Sequence, residues 1–374
     1  MRDLMQAVVV RDVGAYEVTE VPVPQPGPGE ALVRVSVTGL CRTDLKLIRH
    51  GHRDLELPRV PGEEVVGVIV ALGPEADASA GAAGVPGGGP AGAAVASGAG
   101  PAGAAGSFAA GDRVYVYPGV WCGECPSCRR GAENLCRQMR IMGFHRDGGF
   151  ADYVAVPLQS LIGVPAGLSD EEAVFAEPLS CCLNALELGG VGEGDALGIW
   201  GAGPAGTLLC RAGALLGATP FVVEPDARRR DLVSAAPGTP PAASFAATSP
   251  PPLDVAIVAV GDPAAYAEAV EALAPRGRLV VFSGLLPHDD GAYHLSLNSI
   301  HYHEHTVVGA YGCSFRHGVA ALDLLGSGRL RVDDLISHRL PLADLEQGLD
   351  IVARRAGMKV HLYPAASPID EETT

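Results

Sequence analysis

The sequence predicts an α/β protein with a barrel-like β domain and a second domain built on a doubly wound parallel sheet. The chain has 374 residues, more than one core of roughly 100–150 residues usually takes. It opens with short β-type runs separated by Gly and Pro, and from about Asp195 strand and helix patterns alternate. We therefore expect a first domain over residues 1–181, a second over 182–312, and a return to the first over 313–374.

The expected first domain begins with strands. The runs AVVV, EVTEVPVP and ALVRVSV are followed by the strand-like segments Val65–Leu72 and Asp112–Tyr117. Residues 74–110 are almost entirely Ala, Gly, Pro, Ser and Val. Such a segment has too little bulky apolar surface to offset its ordering entropy. We expect a disordered loop there, with a functional lid as the alternative.

The expected second domain alternates strands and helices. The strand ALGIW leads into the turn GAGPAG, the helix TLLCRAGALLGA and the strand PFVVE, and DVAIVAV, AYAEAVEALA and GRLVVFSG repeat the order. This alternation is typical of a parallel sheet. The Pro-rich stretch 235–252 predicts a loop in place of a helix and a strand, and the tail after Cys313 predicts two more helices.

Composition excludes several classes of protein. With 43 acidic and 27 basic residues the formal charge is -16, which argues against nucleic acid and anionic membranes as partners. The apolar runs are strand-sized, too short to span a bilayer, and the start MRDLMQAVVVRDVGAY does not read as a signal peptide. We expect a cytoplasmic protein with reduced thiols.

Four of the nine cysteines form the pattern C-x2-C-x2-C-x7-C, from Cys122 through Cys125 and Cys128 to Cys136. Four thiolates from one compact lobe can close a tetrahedral shell around zinc and leave no position for a substrate. The pattern therefore predicts a structural zinc. Unrelated cysteines and an iron–sulfur centre are the alternatives.

The turn GAGPAG places Gly201, Gly203 and Gly206 between a predicted strand and a predicted helix. This spacing alone is weak evidence, but Glu224 ends the next strand, where a carboxylate can accept hydrogen bonds from the adenosine ribose. Because that carboxylate would repel a ribose phosphate, the pattern favours NAD over NADP. The arginines at 228–230 weaken this preference, and an ordinary strand-end carboxylate is the alternative.

Cys41 stands in CRTD, which we interpret as a polar turn after a strand. The motifs CRTD, PGEEVVG, GDRVYVYPGVWCGECPSCRRGAENLC, GGFADYV, AEPLSCCLNAL, GAGPAG and GMKVHL together resemble the zinc-containing medium-chain dehydrogenases, over all the chain except 74–110 and 235–252. The resemblance implies a GroES-like β-barrel catalytic domain and a Rossmann nucleotide-binding domain. The AEPL motif is similar to the polyol, sorbitol-type branch, whereas liver-type alcohol dehydrogenases have a cysteine in place of this glutamate.

The resemblance also implies roles for individual residues. Cys41 would be a ligand of a catalytic zinc and Glu177 a ligand or near-ligand. Thr43 would take and relay the proton of the alcohol, and Arg42 would approach the pyrophosphate of the cofactor. Glu64 would be a carboxylate behind the metal, or one that exchanges onto it.

One position departs from the family pattern. Where the family usually has Gly-His-Glu, this chain has Gly62-Glu63-Glu64, so Glu63 replaces a histidine ligand. A set of Cys41, Glu63, Glu177 and water is chemically allowed, but it carries more negative charge. A working zinc with an unusual ligand, a weakly held or exchangeable metal, and a site that has lost its metal all stay open.

The resemblance places His145 of GFHRDGGF near the substrate, and His50 or His52 could end a proton relay; each is otherwise a surface or hydrogen-bonded residue.

We expect hydride transfer between NAD and a secondary alcohol or ketone of a polyol, sugar or cyclitol. The chain is also similar to antibiotic-pathway dehydrogenases that oxidise an aminocyclitol such as 2-deoxy-scyllo-inosamine, and sorbitol-type, threonine-type and simple alcohol dehydrogenases stay open as alternatives. The alternatives are an NAD-retaining epimerase and an NAD-binding protein without a functional catalytic zinc. The family implies a homodimer or homotetramer.

Overall fold

The computed structural model describes residues 3–74, 108–232, 241–248, 250–284 and 295–365. The strands in these ranges are β1 (Leu4–Asp12), β2 (Ala15–Pro22), β3 (Glu30–Leu40), β4 (Glu64–Leu72), β5 (Arg113–Val116), β6 (Gly119–Val120), β7 (Arg140–Ile141), β8 (Tyr153–Pro157), β9 (Leu161–Gly163), β10 (Ala196–Trp200), β11 (Thr219–Val223), β12 (Leu253–Val258), β13 (Leu273–Val281), β14 (Thr306–Gly309), β15 (Ile336–Pro341) and β16 (Lys359–Tyr363). The helices are α1 (Arg42–His50), α2 (Pro126–Arg129), α3 (Asp170–Ala173), α4 (Ala176–Leu188), α5 (Pro204–Leu215), α6 (Ala227–Leu232), α7 (Pro263–Glu271), α8 (Leu297–His303), α9 (Phe315–Gly326) and α10 (Leu345–Arg354).

Contacts within the chain divide the described residues into two units. The first unit holds the residues up to Glu177 and those from Ser314 onward, and the second holds Pro178 to Cys313. The chain therefore leaves the first unit near the start of α4 and returns to it just before α9.

The first unit is built on a seven-stranded sheet. Its strands follow the order β15-β16-β3-β4-β5-β9, and β8 also pairs with β3. The pairs are antiparallel except β15 with β16. Alternating apolar residues of β3 and its neighbours supply the buried cores on the two sides. The sheet brings β16, near the end of the chain, against β3, near its start.

The second unit is built on a five-stranded parallel sheet in the order β11-β10-β12-β13-β14. All five residues of β10 are buried, as expected for a central parallel strand that is covered on both faces. The strand order reverses at β10, and in such sheets ligands bind outside the carboxyl end of the strands at that point. The predicted parallel sheet is confirmed.

Two local expectations were wrong. CRTD is not a free turn, because α1 begins at Arg42 and Cys41 is its N-cap; the buried Leu45, Leu47 and Ile48 hold the helix on the core. The stretch 235–252 is not a loop throughout either. Its residues 241–248 include a short 3-10 helix, and the Phe245 ring packs 5.5 Å from that of Trp200.

Two further expectations concern the segment 74–110 and the lack of membrane-spanning helices. The loop expected over 74–110 lies outside the described residues except at its ends. Within the described ranges, none of the helices combines the length and the apolar character that crossing a bilayer requires.

His361 on β16 is a buried polar residue at the centre of the first unit. It is 0% exposed, its ring lies 5.5 Å from that of Phe175, and neither ring nitrogen has a hydrogen-bond partner among the described residues. Burial, together with the positive charge of Lys359, lowers the pKa of His361 to about 3. The folded protein therefore holds this imidazole neutral.

This burial predicts a loss of stability in acid. The unfolded chain takes up a proton at His361 below about pH 6.5 and the folded chain does not, so stability falls as the pH drops from about 6.5 toward 3. His361→Leu should remove this dependence. Urea unfolding should show the variant gaining on the wild type by about 1–2 kcal/mol between pH 7 and pH 5. The exposed His301→Leu is the control, and parallel pH curves for the His361 variant and the wild type would contradict the prediction.

Candidate active site

The four predicted zinc cysteines come together in a lobe formed by residues 121–139, which we call the cysteine lobe. Their sulfur atoms all lie within 4.8 Å of one another. The Cys125–Cys128 and Cys122–Cys136 sulfur pairs are 3.4 and 3.5 Å apart, and two further pairs are 3.9 Å apart. Zinc–sulfur bonds of about 2.3 Å in a tetrahedron place sulfurs about 3.8 Å apart. These residues therefore fit a zinc ion.

Backbone amides donate to three of the four sulfurs of the cysteine lobe, whereas burial, as the largest cause, raises the pKa of Cys128 to about 12. The amide of Cys125 donates to Cys122 Sγ at 3.4 Å, and that of Gln138 donates to Cys136 Sγ at 3.3 Å. Hydrogen bonds from amides, that of Cys128 first, lower the pKa of Cys125 to about 6. Donors that favour thiolate over thiol also favour metal binding, because the metal ligand is the thiolate.

The cysteine lobe also holds the start of α9. Glu133 Oε1 accepts the amide of Phe315 at 2.6 Å, and Ser314 Oγ donates to the carbonyl of Gly131 at 3.0 Å. The Phe315 ring lies 5.5 Å from that of Trp121. A carboxylate at a helix N-terminus satisfies amides that have no partner within the helix. The lobe thus fixes the point at which the chain re-enters the first unit.

Cys41 lies at the N-terminus of α1, directly after β3. Its amide donates to Asp44 Oδ2 at 2.9 Å, and Asp44 is 1% exposed. Burial, more than any other cause, raises the pKa of Asp44 to about 6. Burial and the charge of Asp44 also raise the pKa of the Cys41 thiol well above its usual range, and Lys359 partly offsets this.

A buried ion pair between Lys359 and Glu64 lies beside Cys41. The lysine is 3% exposed and the glutamate 1%, and the Lys359 ammonium donates to the Glu64 carboxylate. The pair joins β16 to β4 across β3, at Gly39. A Cβ at Gly39 would lie 1.9 Å from Glu64 Oε2 and 3.0 Å from Lys359 Cε, so only glycine leaves room for the pair.

The remaining predicted residues of the first unit lie at three places along the chain. Arg42 and Thr43 are exposed on the first turn of α1, Glu63 directly precedes β4, and Glu177 is the second residue of α4. After burial, Asp44 and Glu64, the charge of Glu63 is a smaller cause of the raised pKa of Cys41. Burial lowers the pKa of Lys359, the charge of Glu64 more than offsets this together with that of Cys41, and the charge of Glu177 adds to the rise.

The fit to a catalytic zinc is poorer than the fit of the cysteine lobe. The candidate ligand atoms of Cys41, Glu63 and Glu177 do not form a group within 4.8 Å, as the four sulfurs do. These three residues, as they stand, do not fit the tetrahedral zinc that the resemblance implies.

His145 lies elsewhere in the first unit. Its Nδ1 accepts the amide of Ile141 at 3.0 Å. It lines a cavity of about 580 Å3 together with Arg59, Arg140, Arg146 and part of β1, and the lining includes none of Cys41, Thr43 and Glu63. The substrate contact expected of His145 stays a prediction.

The glycine turn of the second unit follows β10 and leads into α5. Gly201 has φ 104°, a left-handed conformation that favours glycine. A Cβ at Gly206 would lie 1.8 Å from the carbonyl oxygen of Gly201, so the helix can approach the turn only with glycine there. Gly203 is the N-cap of α5, whose first amides are available to an anion. The turn fits the pyrophosphate of a dinucleotide.

Glu224 stands beside this turn, directly after β11, and is 4% exposed. Its Oε2 accepts the amide of Ala202 at 3.1 Å, and its Oε1 accepts that of Asp226 at 3.2 Å. The guanidinium of Arg229, itself 5% exposed, lies 3.7 Å from Oε2 and also reaches the carbonyl of Ala202 at 3.4 Å. Arg229 thus helps to hold Glu224 on the glycine turn.

A cysteine lobe that fits zinc, together with a glycine turn that fits a dinucleotide, defines a zinc-binding, nicotinamide-dependent dehydrogenase. The profile of the alcohol dehydrogenase GroES-like domain matches residues 27–166, and that of the zinc-binding dehydrogenase domain matches residues 204–327. The chain belongs to the zinc-containing alcohol dehydrogenase family, with a GroES-like domain and a Rossmann-type domain, as predicted.

Individual proteins are similar over almost the whole chain. An L-threonine 3-dehydrogenase of Pyrococcus horikoshii is 30% identical over 91% of this chain and 92% of its own. An erythritol/L-threitol dehydrogenase of Mycolicibacterium smegmatis is 31% identical over 96% of this chain and 98% of its own. The structure of a zinc-binding dehydrogenase from Sinorhizobium meliloti bound to NADP superposes with a TM-score of 0.80 at 29% identity, covering 97% of this chain and 100% of that one.

Sequence reasoning missed three residues of these sites. Lys359 was given no role, although a lysine in the apolar run GMKVHL is itself a signal, because a buried ammonium needs a partner. Asp44 was quoted only within CRTD. Arg229 was considered only as one of the three arginines at 228–230 that weaken the preference for NAD, and its burial beside Glu224 depends on the fold of the second unit.

Removing the lysine of the buried pair should be strongly destabilising. Lys359→Met leaves the Glu64 carboxylate buried without its counter-ion, which costs about 3–5 kcal/mol in the free energy of unfolding. The double variant with Glu64→Gln should recover part of this loss, because no uncompensated charge is left buried. Urea unfolding measures both.

The exposed Arg331–Asp333 pair, with an Arg331 side chain that is 76% exposed, supplies the control. Arg331→Met should cost at most about 1 kcal/mol. If Lys359→Met costs no more than that, the pair does not hold β16 to β4 as we infer.

Proposed function

We propose that the protein is a dehydrogenase that transfers a hydride between NAD and a secondary alcohol of a polyol, sugar or cyclitol. The observation that carries the proposal is the likeness to an erythritol/L-threitol dehydrogenase over 96% of the chain. The cysteine lobe would hold a structural zinc. A location in the cytoplasm and assembly into a homodimer or homotetramer remain predictions.

The second unit would bind the nicotinamide cofactor. The pyrophosphate would lie on the glycine turn, where the first amides of α5 and the positive end of the helix favour an anion. Glu224 would accept hydrogen bonds from the ribose hydroxyls. Arg42, on the first turn of α1, is the proposed second contact to the pyrophosphate.

The first unit would bind the alcohol and accept its proton. The carbinol carbon gives a hydride to the nicotinamide and its hydroxyl loses a proton, so that NAD and a secondary alcohol become NADH, a ketone and a proton. Thr43 is exposed beside Cys41 and would pass this proton outward. Glu64 would act only through its charge, because Lys359 holds its carboxylate.

Two narrower substrate classes are part of the proposal. The glutamate at position 177 and the sequence pattern favour polyols and cyclitols, including aminocyclitols such as 2-deoxy-scyllo-inosamine. The likeness to an L-threonine 3-dehydrogenase, at 30% identity over 91% of the chain, favours an amino acid with a secondary hydroxyl as the second candidate.

A substrate panel tests the function. Purified protein with added zinc should reduce NAD, followed by the absorbance of NADH, with at least one of erythritol, threitol, sorbitol, myo-inositol, 2-deoxy-scyllo-inosamine and L-threonine. Thr43→Val removes only the hydroxyl that would pass the proton of the alcohol outward. The value of kcat should therefore fall by about 100-fold or more. Thr19→Val, at a half-buried position of β2, is the control. A panel without any NADH signal would refute the proposed function.

Cofactor retention separates the two alternatives. An epimerase that returns the hydride to the same substrate would be purified with NAD bound and would give no net NADH. A binding protein without catalysis would take up NAD and turn over none of the panel.

Glu224 should set the preference for NAD. Glu224→Ser removes the charged group that accepts hydrogen bonds from the ribose hydroxyls, which are worth about 1.5–3 kcal/mol. It also removes the negative charge that repels a 2′-phosphate. The ratio of kcat/KM for NAD to that for NADP should fall by about 10-fold to 100-fold. The neighbouring Asp226→Ser removes the same charge at an exposed position and should leave the ratio nearly unchanged. Equal effects of both variants would contradict a specific contact.

A further inference from the structure

Two cysteines outside the cysteine lobe lie close together in the second unit. Cys181 is on α4, and Cys313 is the last residue of the unit. Their sulfur atoms lie within 4.8 Å of each other, and both thiols are free. Because a disulfide bond is about 2.0 Å long, each sulfur would have to move by about 1.4 Å at most to form one. A rotation of the two side chains can supply such a movement.

Two hydrogen bonds hold the chain around Cys313 against α4. Ser180 Oγ donates to Cys313 Sγ at 2.9 Å, and Asn184 Nδ2 donates to the carbonyl of Gly312 at 2.8 Å. Ser180 and Asn184 are both buried, where a hydrogen bond is stronger than in water. The two sulfurs therefore belong to segments that are already fixed against each other before any bond joins them.

The two sulfurs differ in their access to solvent. Cys181 is half-buried, whereas Cys313 is 5% exposed. An oxidant from solution would therefore reach Cys181 first. The neighbouring Cys182, and Cys210 on α5, are 0% exposed, and zinc would hold the sulfurs of the cysteine lobe. An accessible thiol beside a shielded one is the arrangement of a redox-sensitive cysteine and its resolving cysteine.

We propose that Cys181 and Cys313 form a reversible disulfide when a peroxide reaches the protein, and that this bond stabilises the second unit. The peroxide oxidises the Cys181 thiol to a sulfenic acid and is itself reduced to water. The Cys313 sulfur then attacks the sulfenic sulfur, the S–S bond forms and a second water leaves. Two thiols and one hydrogen peroxide thus give one disulfide and two waters. A dithiol reverses the step by thiol–disulfide exchange.

The position of the pair explains why the bond would be stabilising. The second unit runs from Pro178 to Cys313, so a bond between Cys181 and Cys313 would enclose residues 182–312, which are nearly the whole unit. A cross-link that closes so long a loop removes much conformational freedom from the unfolded chain. Oxidation would therefore stabilise the unit that carries the glycine turn without changing any residue of that turn.

Peptide mapping tests the bond directly in the wild type. Zinc-loaded protein is treated with hydrogen peroxide, its remaining thiols are alkylated, and it is digested without reduction for mass spectrometry. The peptides that carry Cys181 and Cys313 should be linked with the loss of two hydrogens, and dithiothreitol should separate them. Fragmentation of the linked peptides assigns the bond to Cys181 rather than to the adjacent Cys182.

Three serine variants supply the comparison. Cys181→Ser and Cys313→Ser should each lose the link. Cys182→Ser, on the same helix, is the matched control and should keep it. Cys182 is buried, and its Sγ donates to the carbonyl of Ala205 at 3.5 Å, a hydrogen bond that a serine hydroxyl can also make.

Thermal unfolding measures the stabilisation. The oxidised wild type should unfold about 5–10 °C above the reduced wild type, and dithiothreitol should abolish the difference. Cys182→Ser should show the same shift, and Cys181→Ser and Cys313→Ser should show none. Each protein is compared with its own reduced form, so a change in the basal stability of a variant does not affect the result.

Several outcomes would overturn the proposal. They are a sulfinic acid at Cys181 with Cys313 still free to be alkylated, a link from Cys181 to a different cysteine, and two thiols that are both alkylated after the peroxide treatment. A linked pair without a rise in the unfolding midpoint would refute the stabilisation. The peptide map of the wild type decides the first part even if a cysteine variant does not fold.

Discussion

The ion pair between Lys359 and Glu64 is the interaction on which the first unit depends. It joins two strands that are separated by β3 in the sheet and by 295 residues along the chain. Both side chains are buried, so each charge is tolerated only because the other is present. Gly39 is the third member of this arrangement, since any side chain there would occupy the space of the carboxylate.

The same pair limits what the neighbouring site can do. Lys359 is a cation next to Cys41, and it partly offsets the rise in the pKa of the thiol that burial and Asp44 cause. It cannot neutralise Glu63 as well, because its ammonium is held by Glu64. A structural requirement of the sheet thus leaves the surplus negative charge at Cys41 to be balanced by a metal ion or by protons.

The features that the sequence predicted are those encoded over short stretches. The cysteine lobe draws its four ligands from fifteen residues, and the glycine turn and Glu224 belong to one strand–helix–strand segment. Their spacing alone constrains their geometry. The ion pair and the burial of His361 depend on β16 joining β3 from the far end of the chain, and no local pattern contains that pairing. The start of α1 was missed for another reason: Asp44, which accepts the Cys41 amide, was interpreted as a turn residue.

The exchange of histidine for Glu63 changes the chemistry of the site without requiring a change of fold. The segment before it is held by main-chain hydrogen bonds, in which the amides of Gly148 and Phe150 donate to the carbonyls of Val60 and Pro61 at 2.7 and 2.9 Å. Such bonds do not depend on the side chain at position 63. The buried residue that the fold does require at this end of β4 is Glu64, whose partner Lys359 is fixed by β16. Position 63 can therefore differ from the family pattern while the adjacent glutamate is retained.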